Sequence, residues 1–463
     1  PKPKENPMQK YSDFSRLMVA GGLALVLGLA AEGMTVNVPA AYDSEAPARG
    51  SEVFVAPQAR DFLFADTAHI SILCLPPKPA LRLDWTLHQN MQSAALRTGT
   101  VAPGYDRNFE ISLESEGLVP GFYDLKVTVH YSDRARNTGS TTFGWNVEAF
   151  APVTWQPEDF ESFWRTAHRS LQDIPPDVRY RFYRTLSGAE INRYNTRHAQ
   201  LPERFYPEGE RYDTVDTYEV RYRSVNGMEV FGWYAKPAGE GPFPTLLVFP
   251  GAGRAVQRPL PVEQARQGFA AFYMHDFNIP VDGPGAEAER SEDENPLLGH
   301  EAYQLYMDAL QAVNVVVELP GADPERLAVI GGSQGGRLSI VTAALDARIK
   351  VAVPAITHYA YNGWQEWVRG RREADAVFTR DDLSSRWRET GSYFDVLNFA
   401  PLVQCPVLMN AGLTDTISPV TSVYAVKRVL NAPVEFIAMP NMGHAWSPAF
   451  DRRVADWLHA QLQ

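Results

Sequence analysis

"LAVIGGSQGGRLSIVTAAL", residues 327–345, decides how this chain is read. Four glycines surround one serine, and an apolar run lies on either side. Gly331-Gly332-Ser333-Gln334-Gly335 fits G-x-S-x-G, with "RLAVI" as a strand before it and "GRLSIVTAALDA" as a helix after it. A serine on so sharp a strand-to-helix turn holds a backbone angle that crowds the residues two positions away, and glycine there removes the Cβ clash. The helix that begins at the turn aims its free N–H groups and positive end at a developing oxyanion. A plain glycine turn is the competing reading, and residues further along the chain separate the two.

A nucleophilic serine needs a base, and the chain order expected on this kind of turn is serine, then acid, then histidine. Three histidines follow: His358, His444 and His459. His459 lies in the terminal amphipathic stretch "VADWLHAQL", where packing is the default role. His358 precedes most acid candidates, which spoils the order. His444, in "AMPNMGHAWSP", follows an apolar strand in a glycine-bearing loop. Asp415, in "CPVLMNAGLTDTISP", follows another apolar strand by a few residues. Ser333, Asp415 and His444 therefore form the candidate triad: His444 takes the serine proton, and Asp415 holds its tautomer. The N–H of Gln334 and the N–H of Ala252, in "FPGAG", are the candidate oxyanion donors.

Outward from the serine, "PTLLVFPGAG", "FAAFYMHDF", "VAVPAI", "CPVLMNAG" and "VEFIAMP" are short apolar runs, most too apolar to alternate. Helix-like stretches such as "AYQLYMDALQAVNVVVEL" and "SVYAVKRVLNA" separate many of them. Strands of this kind are buried on both faces, so residues 151–463 predict an α/β fold, a mostly parallel sheet covered by helices. "YEVRYRSVNGMEVFGWYAKP" (218–237) predicts a hairpin turning at Asn226-Gly227. Upstream, residues 33–150 hold "SEVFVAP", "HISILCL", "LRLDWTLHQ", "NFEISLES", "GFYDLKVTVHYS" and "TTFGWNVEAF", short alternating strands that predict an immunoglobulin-like β-sandwich. Trp85 and Trp145 are expected in its core. Pro152 and Pro157 mark the junction, and "PEDFESFWRTAHRSL" after it predicts a helix with a stripe of Phe160, Phe163 and Trp164, Pro157 in its first turn.

The 463 residues carry a net charge of −12, with no basic stripe, which argues against a nucleic-acid partner. Two cysteines, Cys74 and Cys405, sit in apolar strand-like contexts and are expected to be buried free thiols. His300-Glu301 opens like H-E-x-x-H, but Gln304 stands at the last position, and His275-Asp276 has no second ligand at useful spacing. Neither a metal nor another cofactor is expected. Residues 1–32 read as an extension and a signal peptide: "MQKYSDFSR" precedes an uncharged run from Leu17 to Ala31, short for a span and right for a secretory signal. A secreted or periplasmic protein without a stable membrane span after cleavage is the expectation.

These residues resemble the acetyl xylan esterase/cephalosporin-C deacetylase family, carbohydrate esterase family 7, of the α/β-hydrolase superfamily. "PEDFESFW" is similar to its opening helix, "VNGMEVFGWYAKP" to its first hairpin and "GGSQGG" to its elbow. "YFDVLNFAPLVQCPVLM" and "GLTDTISPVTSVYAV" resemble its acid strand and acid loop. The resemblance implies an α/β-hydrolase fold, the triad Ser333, Asp415 and His444, acetyl removal from small acetylated sugars or related esters without a metal, and a closed homo-oligomer. The chain departs from the family at three places, and the loss of the tyrosine and the arginine is expected to reshape the pocket. Pro250-Gly251-Ala252 stands where the family has His-Gly-Tyr, His275-Asp276-Phe277-Asn278 where it has Arg-Gly-Gln-Gly, and Ala445 where a Glu commonly follows the histidine. Two rival readings are a peptidase of the prolyl-oligopeptidase type and an impaired hydrolase scaffold that binds a glycan or protein. Residues 33–150 are too few for the propeller the first requires.

Overall fold

The computed structural model describes residues 53–104, 108–191, 212–252, 260–275, 295–370 and 377–462. The expected signal segment and the positions Asp276, Phe277 and Asn278 lie outside the described residues.

Eight strands come first: β1 (Phe54–Pro57), β2 (Leu63–Phe64), β3 (His69–Leu75), β4 (Arg82–Gln89), β5 (Arg97–Val101), β6 (Phe109–Glu114), β7 (Gly121–His130) and β8 (Arg136–Trp145). They form a sheet of order β1-β3-β6 and another of order β2-β8-β7-β4-β5. Alternation drives the burial. In β6, Phe109, Ile111 and Leu113 turn inward while Glu110, Ser112 and Glu114 face water. Trp145 is buried, its Nε1 donating to the Thr67 carbonyl at 3.1 Å, and Trp85 is half-buried against Gly99. Strand β5 has no counterpart in the sequence reading. "RTGTV" buries none of its residues fully, so no apolar period betrays an edge strand.

A nine-stranded sheet follows, built from β9 (Arg179–Ser187), β10 (Thr214–Arg223), β11 (Glu229–Pro237), β12 (Phe243–Phe249), β13 (Ala270–Met274), β14 (Ala322–Gly332), β15 (Ile349–Ala355), β16 (Val407–Gly412) and β17 (Val434–Met439). Its order is β17-β16-β15-β14-β12-β13-β11-β10-β9. The run from β13 to β17 is parallel, and β9, β10 and β11 are antiparallel. The hairpin β10–β11 turns at Asn226 and Gly227, both at positive φ, but Arg223 pairs with Glu229, so the connection is longer than two residues.

Among the helices are α1 (Phe160–Ser170), α2 (Glu301–Val316), α3 (Gln334–Leu345), α4 (Asn362–Gly370), α5 (Val420–Val429) and α6 (Pro448–Gln461). Helices cover both faces, which explains the continuous apolar strands. Leu247 and Val329 join the core with α2 and α3, while Leu246, Ala328 and Ile330 join Phe450, Val454 and Trp457 of α6. Within α1, Phe160 and Trp164 are buried and Phe163 is half-buried; Trp164 Nε1 donates to the Tyr393 carbonyl at 2.9 Å. Pro157 stands in the turn ahead of this helix rather than in its first turn, its carbonyl accepting from the Phe160 N–H. Cys74 and Cys405 are buried free thiols, pushed up to about 12 and about 11 by that burial. His459 packs against Phe269, with ring centres 4.6 Å apart.

The N-terminal sheets rest on α5, which directly follows the Asp415 loop. Glu148 accepts from Tyr424 (2.5 Å), Lys427 (2.8 Å) and Arg428 (3.2 Å), and Thr421 donates to Asn90 at 2.9 Å. Thr141 of β8 donates to Asn441 at 3.3 Å, in the loop that carries His444. Their apolar interior runs on into that beneath one face of the nine-stranded sheet. No helix among the described residues is long and apolar enough to cross a membrane.

Candidate active site

Ser333 stands between β14 and α3 with φ 59° and ψ −115°, a conformation that side-chain-bearing residues rarely adopt and that costs of order 1–3 kcal/mol. Its surroundings hold it there. The Ser333 N–H donates to the Ala355 carbonyl at 3.0 Å, and its own carbonyl accepts from Arg337 N–H and His358 N–H, each at 3.1 Å. Gly335 is the glycine the turn requires: a Cβ there would run into the carbonyl oxygen of Phe249 at the end of β12. The Ser333 hydroxyl is half-buried and makes no hydrogen bond among the described residues. Nucleophile–base bonds are often loose in hydrolases without substrate and tighten on binding.

Asp415 is buried in the turn after β16. Its Oδ1 accepts from Ile417 N–H (2.8 Å) and Ser418 N–H (2.9 Å), and Oδ2 lies 2.7 Å from His444 Nδ1. Two backbone donors thus fix the carboxylate, and the remaining oxygen holds the imidazole with Nδ1 protonated. That leaves Nε2 as the acceptor a base needs. The loop bearing His444 lies on the elbow, because Trp446, two residues further on, packs against Gly332 beside Ser333. Below it, Gly412 at the end of β16 faces the carbonyls of Met442 and Gly443, and Thr414 N–H donates to the Met442 carbonyl at 3.0 Å. Gly412→Ala would drive a Cβ into these backbone oxygens. The expected loss is about 1–3 kcal/mol, the range for overpacking a fixed site, read as a lower urea midpoint. Activity should fall with it, because the same shift moves His444.

Gln334 opens α3, so its backbone N–H is one of the free donors at the helix start, directly after Ser333. Ala252 lies two residues past Pro250, whose carbonyl is against Gly335, and is exposed at the mouth of the elbow. Phe249 pairs with Gly331, so neighbouring parallel strands bring the two donor segments to the same sheet end. Among the described residues no group of three or more His, Cys, Asp or Glu could hold a metal ion. His300 instead caps α2, its Nδ1 accepting from Ala302 N–H at 3.1 Å.

Two residues at the site escaped the reading of the sequence. His358, set aside on chain order, is joined to Ser333 through its backbone N–H. Burial, then the positive charges of Arg337 and His444, push its imidazole down to about 4, so it stays neutral across the physiological range. Arg337, one helical turn after Ser333, is buried as well. The chain-order rule finds only triad members, and the arginine carried no motif.

These features place the chain among known proteins. A family model described as acetyl xylan esterase matches residues 188–461. The chain belongs to the acetyl xylan esterase family. It is therefore a carboxylic ester hydrolase. It is 26% identical over 360 residues to acetyl esterase Axe7A of Xylanibacter ruminicola, covering 74% of this chain and 75% of that protein. The fold resembles that of an acetyl xylan esterase from Paenibacillus sp. R4, with a TM-score of 0.51 at 24% identity over 68% of this chain and 98% of the other. A shorter likeness, 25% identity over 245 residues, joins 49% of the chain to 35% of an uncharacterized peptidase, YuxL, of Bacillus subtilis.

Proposed function

We propose that this member of the acetyl xylan esterase family is a serine esterase that removes acyl groups, chiefly acetyl, from carbohydrate esters such as acetylated xylo-oligosaccharides. The observation that carries the triad is the 2.7 Å Asp415–His444 contact, on loops packed against the strained turn of Ser333. In the first half-reaction His444 Nε2 takes the Ser333 proton as Oγ attacks the ester carbonyl carbon. The carbonyl oxygen, now an alkoxide, accepts from the N–H groups of Gln334 and Ala252. Collapse breaks the bond to the sugar oxygen, which leaves with the proton from His444. Water repeats the cycle on the acetyl-enzyme, releases acetate and restores the serine. Asp415 stabilises the imidazolium at both stages.

The N-terminal sheets are read as an immunoglobulin-like sandwich domain over residues 33–150, preceding a catalytic domain over 151–463. Two facing sheets with a shared apolar interior support this. Export is read from the uncharged run Leu17–Ala31.

The test is acetate release from acetylated xylo-oligosaccharides, run beside a long-acyl p-nitrophenyl ester and a peptide library, with a fluorophosphonate to label the nucleophile. Acetate release and a mass adduct on Ser333 are expected. An adduct on Ser333 with peptide cleavage and no ester turnover would overturn the esterase reading. So would ester turnover with no Ser333 adduct, which would remove the triad.

A further inference from the structure

Arg337 is 6% exposed, in the first turns of α3, yet no carboxylate among the described residues lies within salt-bridge distance of it. Its Cζ is 4.9 Å from the Tyr359 ring centre and 5.4 Å from that of Tyr306, and Nη2 is 3.5 Å from the Gln334 side-chain oxygen. Nε is buried without a hydrogen-bond partner.

The neighbouring acids are committed elsewhere. Asp395 accepts from the N–H groups of Tyr361, Leu397 and Asn362 and from Trp387 Nε1, and Asp415 serves its own turn and His444. His358 and His300 are held low above all by burial, and an imidazole, neutral or protonated, supplies no anion; Glu301, which draws His300 the other way, is exposed at the start of α2. A buried charge is ordinarily paired, because desolvation is costly and a lone guanidinium recovers only part of it from two aromatic faces. Here the positive end of α3 adds to the same sign. Among the described residues the outcome is a positive charge without an ion-pair partner one turn from Ser333, beside the residue that follows the nucleophile.

We propose that Arg337 is a specificity-determining residue that receives a carboxylate on the substrate, so that the preferred esters of this enzyme carry an acid group on the acyl or the alcohol side. This rests on the esterase reading for the word substrate, while the anion site itself can be measured without turnover. A guanidinium meets a carboxylate with two parallel N–H donors, and the Nε now without a partner is one member of such a fork.

The experiment has two parts. In the first, Ser333→Ala protein is titrated calorimetrically with 4-acetoxybenzoate and with 4-acetoxybenzamide, alone and with Arg337→Gln or Arg337→Lys added. The acid should bind about 10- to 100-fold tighter than the amide, as expected for a charged hydrogen-bonded pair. Arg337→Gln should abolish that ratio and Arg337→Lys should keep part of it. In the second, kcat/KM of the active enzyme is compared for this pair and for mono-p-nitrophenyl succinate against p-nitrophenyl butyrate. Whichever pair shows the preference tells the alcohol side from the acyl side. Because each ratio is taken on one protein preparation, partial misfolding cancels. Equal binding of acid and amide, together with equal turnover in the succinate pair, would overturn the proposal. So would an Arg337→Gln loss of the same factor on charged and neutral members. Anion-selective binding without turnover of any ester would leave the Arg337 site standing and sink the esterase reading alone.

Discussion

Ser333→Ala is expected to lower kcat on p-nitrophenyl acetate by about 10⁴- to 10⁶-fold, the scale seen when a triad nucleophile is removed, with the protein still folded. The structure separates chemistry from stability here. Alanine keeps the Cβ, so the strain at φ 59° is unchanged, and the hydroxyl it removes makes no hydrogen bond among the described residues. The backbone bonds from Ser333 to Ala355, Arg337 and His358 do not involve the side chain. Thermal and urea midpoints should therefore match the parent protein. Ser333→Gly extends the argument: it should be equally inactive yet more stable by about 1–2 kcal/mol, since glycine tolerates positive φ. Kinetics and urea denaturation of the same three preparations check both statements. A Ser333→Ala protein retaining more than about a hundredth of kcat would exclude the covalent mechanism.

The second large effect is expected from Asp415→Asn, a loss of about 10³- to 10⁴-fold in kcat with little change in fold. Asparagine can keep its carbonyl oxygen toward Ile417 and Ser418, whose N–H groups are 2.8 and 2.9 Å from Oδ1. The amide NH₂ then faces His444 Nδ1 where Oδ2 stood. Two donors cannot share a hydrogen bond, so the imidazole moves its proton to Nε2 and can no longer take one from Ser333. Asp415→Ala should add a stability loss, because the turn loses its acceptor for both N–H groups. The discriminating readout is kcat against the urea midpoint: Asp415→Asn should move the first and spare the second. A loss below about tenfold would place the orienting acid elsewhere.

Much of the site was legible because its signals are local. The glycines around Ser333 answer to a close approach and a strained angle within five residues. The acid loop follows an apolar run that is fully buried in the sheet, and the histidine loop follows an apolar run at the sheet's half-buried edge. The terminal amphipathic stretch around His459 marked it as a packing residue, and its ring packs on Phe269. Chain order set His358 aside. It tests one role, that of the base, whereas His358 reaches the elbow through its backbone N–H, for which any side chain would serve. Strand β5 was missed for the opposite reason, since an exposed edge strand has no apolar period to read.

By itself the sequence determined most of the strands and helices, the elbow at Ser333 and the three residues to set beside one another. Those properties come from spacing, apolar period and backbone sterics, all of which act between near neighbours in the chain. Only the tertiary structure decided that β16 lies beside β15 and β17, so that the Asp415 turn and the His444 loop share one end of the sheet. It also decided that the segment leaving the N-terminal sheets grips the helix behind Asp415, through pairs such as Glu148 and Lys427, 279 positions apart. The burial of Arg337 without an ion-pair partner among the described residues belongs to the same class. Whether a charge is compensated depends on which distant groups the fold brings within a few ångströms, and no local pattern encodes that sum.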